Sequence, residues 1–408
     1  MRRAASAIQY ACDFYLARAY YGVVCFVLAV VVMFTGQYGR RLSADWEQWT
    51  IGEWLINYAS GFVRRGLSGE LLLFVSRHSG LPANLVVFGA LFLLAATFCI
   101  LFALLLRNKQ ITFWYLFLCL SPASLLFTFY NRAAIGRKEL LVFVAFAAWA
   151  HLLARRREAR LRLHILFGVL SFVLTLMHEL FFFFTPYFVF LSFLVSRRRH
   201  ADDWKMSLLV PGCSLLALLP SLALSGNLTD PALCERLTAI GAPAKVCEGI
   251  LSYSDAPATA VLEDFIGHFE THTLVGVLLI FPIVLVPVYL FLAANAGPEQ
   301  SASRLVWLFC AFILFSSPLF VLAVDWGRWV SIHVVLLTVT CSFLLRNREQ
   351  PSQTSARPAH LSAVHLAVGV LILSSTLCWS VKYCCGDDLL DAFGPLQAIS
   401  SVWRDLDI

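Results

Sequence analysis

The chain alternates long, continuously apolar runs with short polar segments. Runs such as VVCFVLAVVVMF and LVVFGALFLLAATFCILFALLL have no period-two alternation and far exceed the length of a strand, so they predict membrane-spanning helices rather than the strands of a barrel. The pattern gives eleven spans: 20–36, 82–106, 111–130, 140–154, 163–178, 180–196, 206–224, 274–295, 305–323, 330–345 and 361–380. Residues 163–196 are too short for two full spans and too long for one, and the polar pair His178–Glu179 at their middle predicts a short hairpin that turns there. No small-residue cleavage site follows the first run, so it is expected to stay as an anchor. The fold expected is all-α: a polytopic transmembrane helical bundle forming a single transmembrane domain over 1–408.

Composition agrees with this reading. The chain is 60% hydrophobic and 14% charged, whereas a soluble domain is about half apolar and a quarter charged. Such a composition argues against a soluble enzyme. GxxxxGK[ST], GxGxxG after a strand, GxSxG and HExxH are all absent, which removes soluble nucleotide chemistry and the common hydrolases. Nucleic acid is not an expected partner; membrane lipid is.

Loop charge sets the orientation. With the N-terminus cytoplasmic, the inner segments carry 18 Lys and Arg against six Asp and Glu, and the outer segments carry 13 against 19. The positive-inside rule then gives N-in and C-out. The outer segments are also where the chemistry collects. Loop 37–81 holds three Trp spaced for interfacial helices at the lipid boundary, with the acids Asp45, Glu47 and Glu53. On one helix, Asp45 and Glu53 would lie about 80° apart and Asp45 and Glu47 about 200° apart, so the first pair can face a common site.

Further along the same loop, GFVRRGLSG places Arg64 and Arg65 between glycines. Paired guanidinium groups suit phosphate, and glycines let a backbone approach a ligand closely. NRAAIGRKE, at 131–139, sets Arg132, Arg137, Lys138 and Glu139 between two apolar spans. Ionisable groups at membrane depth are costly and mark substrate sites, although Glu139 paired with Arg137 or Lys138 would equally be a helix cap. His178–Glu179 and Asp325–Trp326–Gly327–Arg328 complete the set, and Asp325 and Arg328 are spaced to pair with each other on one helix face. All four motifs fall on the outer face. The large outer loop 225–272 carries Cys234 and Cys247, which can form a disulfide in an oxidising compartment, and the sequon Asn227-Leu228-Thr229. The other cysteines have no metal-ligand spacing.

A first span followed by a long outer loop with interfacial helices and the motif Asp45-Trp46-Glu47 resembles the GT-C superfamily of integral-membrane glycosyltransferases. The sequence departs from that pattern in having D-x-E instead of adjacent acids, and 28 residues follow the last expected span. The resemblance implies a polyprenyl-(pyro)phosphate-linked sugar as donor and a glycan or lipid as acceptor, in cell-surface polysaccharide or glycolipid assembly at a bacterial inner membrane. It implies an outer-loop carboxylate near the acceptor and basic residues on the donor phosphate. The chemistry needs a group to take the acceptor proton and cations to stabilise the departing phosphate. Asp45, Glu53, His178 and Glu179 are the catalytic candidates; Arg64, Arg65, Arg132, Arg137, Lys138 and Arg328 are the phosphate-binding ones; and Glu47, Asn57, Glu139 and Asp325 are supporting. Mg2+ or Mn2+ is the alternative source of positive charge. A polysaccharide polymerase or ligase is the neighbouring reading, and a transporter or flippase of an anionic lipid-linked substrate is the reading from another class.

Overall fold

The computed structural model describes residues 48–107, 109–155, 160–198, 203–224, 231–248, 285–293, 302–322 and 325–345, apart from positions 60, 120, 122, 126, 132, 133, 135 and 243. It also describes single residues at 263, 266 and 374 and the pairs 380–381 and 390–391. The described helices are α1 (Gln48–Leu55), α2 (Gly66–Ser79), α3 (Ala83–Leu106), α4 (Phe113–Cys119), α5 (Phe127–Tyr130), α6 (Glu139–Arg155), α7 (Arg160–Met177), α8 (Leu180–Arg198), α9 (Leu209–Ala223), α10 (Pro231–Ala239), α11 (Ala302–Phe315), α12 (Ser317–Leu322) and α13 (Trp326–Leu344). Residues 285–293 are also helical. The strand pairing among the described residues is a two-residue ladder, Ser380–Val381 against Leu390–Asp391.

Among the described residues, three helices are long and apolar enough to cross a membrane: α3, the continuous stretch Trp204–Ala223 that contains α9, and α13. Leu161–Met177, Leu180–Ser196 and Val306–Phe315 are apolar but shorter. α3 leaves Phe92, Leu93 and Ile100 exposed, and α9 leaves Leu215, Leu216, Leu219 and Leu222 exposed. Exposed rows of this kind suit lipid rather than water. α13 is the opposite case, with every residue from Trp326 to Phe343 buried. It packs against α3, α4, α6, α8 and α12.

Of the eleven expected spans, 20–36 falls outside the described residues, 361–380 is described only at 374 and 380, and 274–295 is described only over 285–293. Two others are broken. Span 111–130 is replaced by α4 and α5, with turn hydrogen bonds from Ser121, Ser124 and Phe127 between them. The sequence SPAS explains this break, since proline disfavours helical backbone in the residue before it and cannot donate to a helix. Span 305–323 breaks at Ser316, after which α12 restarts with Pro318 in its first turn, where a missing N–H costs little.

The hairpin at His178–Glu179 is present. Trp149 of α6 packs on Phe167 of α7 with ring centroids 4.6 Å apart, and its Nε1 donates to the Phe188 carbonyl of α8 at 3.0 Å. On one continuous helix those two positions would lie about 30 Å apart. The N-terminal end of α7 and the C-terminal end of α8 therefore lie together, opposite the turn. At that same end Lys109 Nζ donates to the Leu345 carbonyl at 3.1 Å, which ties the C-terminal ends of α3 and α13 together. The N-terminal ends of α6, α8 and α13, and the C-terminal end of α7, gather on the other face.

Candidate functional site

Four separated segments meet on that face, and Glu53 is their hub. Within the first expected outer loop, α1 does not rest on lipid: Thr50–Asn57 are buried in the protein. Of the loop's Trp residues, Trp49 is exposed, while Trp54 is buried and its indole Nε1 donates to the Gly136 carbonyl at 2.7 Å. α1 thus pins the 131–139 segment and turns the fully buried Glu53 inward. Glu53 Oε2 accepts from Arg137 Nη1 at 3.1 Å. Its Oε1 lies 3.0 Å from His178 Nε2, 3.4 Å from Arg328 Nη2 and 3.6 Å from Arg65 Nη1.

α2 brings Arg65 to this carboxylate through a tight return of the chain. A Cβ on Gly66 would lie 2.3 Å from the Tyr58 ring, and one on Gly69 would lie 2.0 Å from the Ile56 carbonyl oxygen. Gly66 and Gly69 therefore admit the chain's own Tyr58 ring and Ile56 carbonyl, where the expectation was a ligand, while a Cβ on Gly61 would meet nothing within 4 Å. Glu70 Oε1 accepts from the Tyr58 backbone N–H at 2.8 Å and closes the same turn. Arg65 stands at the N-cap of α2 with φ 64°, the only left-handed non-glycine residue among those described. A conformation that costs about 1–3 kcal/mol persists only where its surroundings enforce it. Here the Arg65 carbonyl accepts from Ser68 Oγ at 3.2 Å and Lys138 Nζ at 3.3 Å. Its Nε donates to both oxygens of Glu179 at 2.8 Å.

Lys138 is fully buried and joins two of the motifs, since its Nζ also donates to the Met177 carbonyl at 3.1 Å and lies 5.7 Å from the centre of the Trp54 ring. Glu139 opens α6, where a carboxylate is favoured by the helix dipole, and accepts from Arg328 Nε. Arg328, in the first turn of α13, also donates to Asp325 Oδ2 at 3.2 Å. The i,i+3 pair foreseen in the sequence is thus one arm of a wider cluster. Glu139 pairs with Arg328 from across the bundle, whereas the partners foreseen for it were Arg137 and Lys138.

Electrostatics follow from this geometry. Burial opposes the charge on Glu53, but Arg328, the hydrogen bond from His178 and Arg137 outweigh it and hold its carboxyl well below the usual range. Burial likewise opposes the charge on Glu179, and Arg65 and His178 bring its carboxyl far below the usual value. Burial, together with the charge of Arg65, lowers the His178 imidazole below its ordinary value. The ring is then neutral near pH 7. Its Nδ1 accepts the Leu180 N–H at 3.3 Å, so the proton sits on Nε2 and is donated to Glu53. Burial lowers the Lys138 ammonium to about 7, and Arg65 and Arg328 add to the effect against the pull of Glu53 and Glu179.

Of the residues singled out in the sequence, Glu53, Arg65, Arg137, Lys138, Glu139, His178, Glu179, Asp325 and Arg328 are in one cluster. Asp45, Glu47 and Arg132 lie outside the described residues. Arg64 is half-buried beside Arg65. Asn57 shapes the turn after α1, where its Nδ2 donates to the Leu55 carbonyl at 3.0 Å and its Oδ1 accepts the Ala59 N–H at 2.9 Å. No group of three or more His, Cys, Asp or Glu side chains among the described residues is arranged to hold a metal ion. The cluster's carboxylates each face a guanidinium instead, so these residues do not fit a Mg2+ or Mn2+ site. Sequence reasoning missed Trp54, and a helical pattern alone carried no signal that this indole would lock the 131–139 segment.

Cys234 and Cys247 form the disulfide foreseen for the large outer loop. It joins α10 to the short 3-10 turn Ala244–Glu248, which packs against α1. Arg236 Nη1 donates to the Ala59 carbonyl at 3.1 Å, and the Ile240 carbonyl accepts the Ala83 N–H at the start of α3. The disulfide and the Glu53 cluster therefore share one face.

No curated protein and no solved structure matches the chain. The family described as uncharacterised membrane protein Rv1490 matches residues 19–240, a segment that includes Glu53, Arg65, Arg137, Lys138, Glu139, His178 and Glu179. With more than half of its length matched and with apolar helices long enough to cross a bilayer, the chain is an integral membrane protein and belongs to the Rv1490 membrane protein family.

Proposed function

We propose that the chain is an integral-membrane glycosyltransferase that uses a polyprenyl-(pyro)phosphate-linked sugar on the non-cytoplasmic face of a bacterial inner membrane, in cell-surface polysaccharide or glycolipid assembly. The observation that carries the reading is the convergence of Arg65, Arg137 and Arg328 around Glu53 at helix ends on one face. Two features support the side. The helix ends that carry Arg155, Arg160, Arg162, Arg197 and Arg198 lie opposite, as the positive-inside rule requires of cytoplasmic ends. The disulfide on the site's own face belongs to an oxidising compartment.

In this reading the arginines hold the phosphate that leaves. Arg65 and Arg137 have side chains 26% and 13% exposed, so they form the open edge, while Glu53 and Glu139 anchor the guanidinium forks from beneath. The acceptor hydroxyl forms a bond to the anomeric carbon as the carbon–oxygen bond to phosphate breaks. The bonding pair leaves on the phosphate, and the hydroxyl proton passes to a carboxylate at the rim. Glu53 has the role of organising the cations, because a carboxylate held that far below its usual range is a poor base.

The test is a deletion strain. It should accumulate a lipid-linked sugar intermediate that the wild-type gene clears and that Arg65→Lys, Arg137→Lys and Arg328→Lys do not, since Lys keeps the charge but loses the planar fork. Unchanged lipid-linked pools in the deletion strain, or full clearance by all three variants, would refute the reading.

A further inference from the structure

We infer that Asp325 is the proton-exchanging carboxylate of this cluster, taking up a proton when a tetrahedral dianion, the shared chemistry of phosphate and sulfate, seats against Arg65 and Arg137. The inference rests on the anion-handling function proposed above and adds the acid–base residue to it. Its ground is the geometry of the four carboxylates. Glu53 is 0% exposed and touches Arg137, Arg328, Arg65 and His178; Glu139 is 7% exposed and buried against Arg328; Glu179 is 13% exposed and gripped at both oxygens by Arg65. Asp325 is the most open, at 21%, and its Oδ2 accepts from Arg328 Nη1 at 3.2 Å. It is the N-cap residue of α13, and its side chain makes no cap hydrogen bond.

A ligand dianion at the rim displaces a carboxylate from a guanidinium or sits beside one. Either way negative charge accumulates around the least committed acid, and proton uptake there relieves it. The groups bearing on Asp325 are Arg328 on its own helix, Arg137 from the segment before α6, Glu53 from α1 and Arg65 from the turn before α2. His178, Glu179, Lys138 and Glu139 complete the surroundings through those partners. Burial, with help from the Glu53 charge, pushes the Asp325 carboxyl up to about 6 against the pull of Arg137 and Arg65, within reach of a neutral-pH proton exchange. In the transfer reaction the same oxygen receives the acceptor hydroxyl's proton as negative charge appears on the leaving phosphate.

The experiment measures sulfate binding to the full-length protein in detergent by titration calorimetry, in two buffers of different ionisation enthalpy, between pH 5.5 and 8. Sulfate is used because it does not itself titrate in that range. Wild type should take up a fraction of a proton per sulfate near pH 6.5 and bind about three- to tenfold tighter at pH 6 than at pH 7. Asp325→Asn should still bind sulfate, with that uptake gone and the pH dependence flattened; Asp325→Glu should keep the uptake with a shifted midpoint. Unchanged uptake in Asp325→Asn overturns the inference while leaving an anion site intact. Loss of sulfate binding in a folded Asp325→Asn protein overturns it too, because the carboxylate would then only prop Arg328. If Asp325→Asn does not fold, uptake in Asp325→Glu with an unmoved midpoint overturns it. Wild type that binds no sulfate overturns the anion-site reading itself.

Discussion

Replacing Glu53 by Gln keeps the shape of the hub and removes its charge, so it isolates the electrostatic contribution of one buried carboxylate. Removing one partner of a buried ion pair typically costs about 3–5 kcal/mol, because the other charge stays buried without compensation. Three guanidinium groups face Glu53, but they do not all lose their support: Arg65 retains Glu179, and Arg328 retains Glu139 and Asp325. Arg65 and Arg137, 26% and 13% exposed, can also regain some hydration. The lower end of the range applies, about 3 kcal/mol. In a double-mutant cycle with Arg137→Gln, the pair should be coupled by at least about 1 kcal/mol, so that the double variant is less destabilised than the two single effects added. The measurement is denaturant unfolding in mixed micelles, followed by tryptophan fluorescence. The sign with pH is fixed as well. Because the folded carboxyl lies below 4.5, its stabilisation is present above that value and is lost as pH falls toward the folded pKa. The gap between wild type and Glu53→Gln should therefore be constant at neutral pH and close only in acid. A gap below about 0.5 kcal/mol at pH 7 would show that the guanidinium groups are solvated and that the buried hub is wrong.

Lys138 should give the same sign in a higher pH window. Its ammonium is lowered from 10.5 to about 7, so between those values the unfolded chain binds the extra proton and stability rises with pH. Lys138→Met should flatten that rise; an unaltered slope would mean that the amine is hydrated. The arrangement of faces predicts that a cysteine at the exposed position 239 is labelled from outside the cell by an impermeant thiol reagent and one at the exposed position 161 is not, and labelling at 161 would invert the topology.

Much of the fold was legible because a bilayer reads composition directly. Apolar length placed α3 within a residue of the expected 82–106, and the polar pair at 178–179 located the hairpin turn, since an ionisable pair between two apolar runs is costly anywhere but at a helix end. Loop charge also assigned four short motifs to one face, and the structure joins those motifs. Local sequence did not carry the partners. Glu53 meets Arg137 and Arg328 across 84 and 275 positions, and Arg65 meets Glu179 across 114. Which cation faces which acid depends on how helices rotate against one another as they pack, and no short window of sequence contains that rotation. The same reason explains α1. Its Trp and Glu pattern suits a helix resting on lipid, and it is a buried strut because Trp54 meets the Gly136 carbonyl and Glu53 meets Arg137 and Arg328, partners that lie far along the chain.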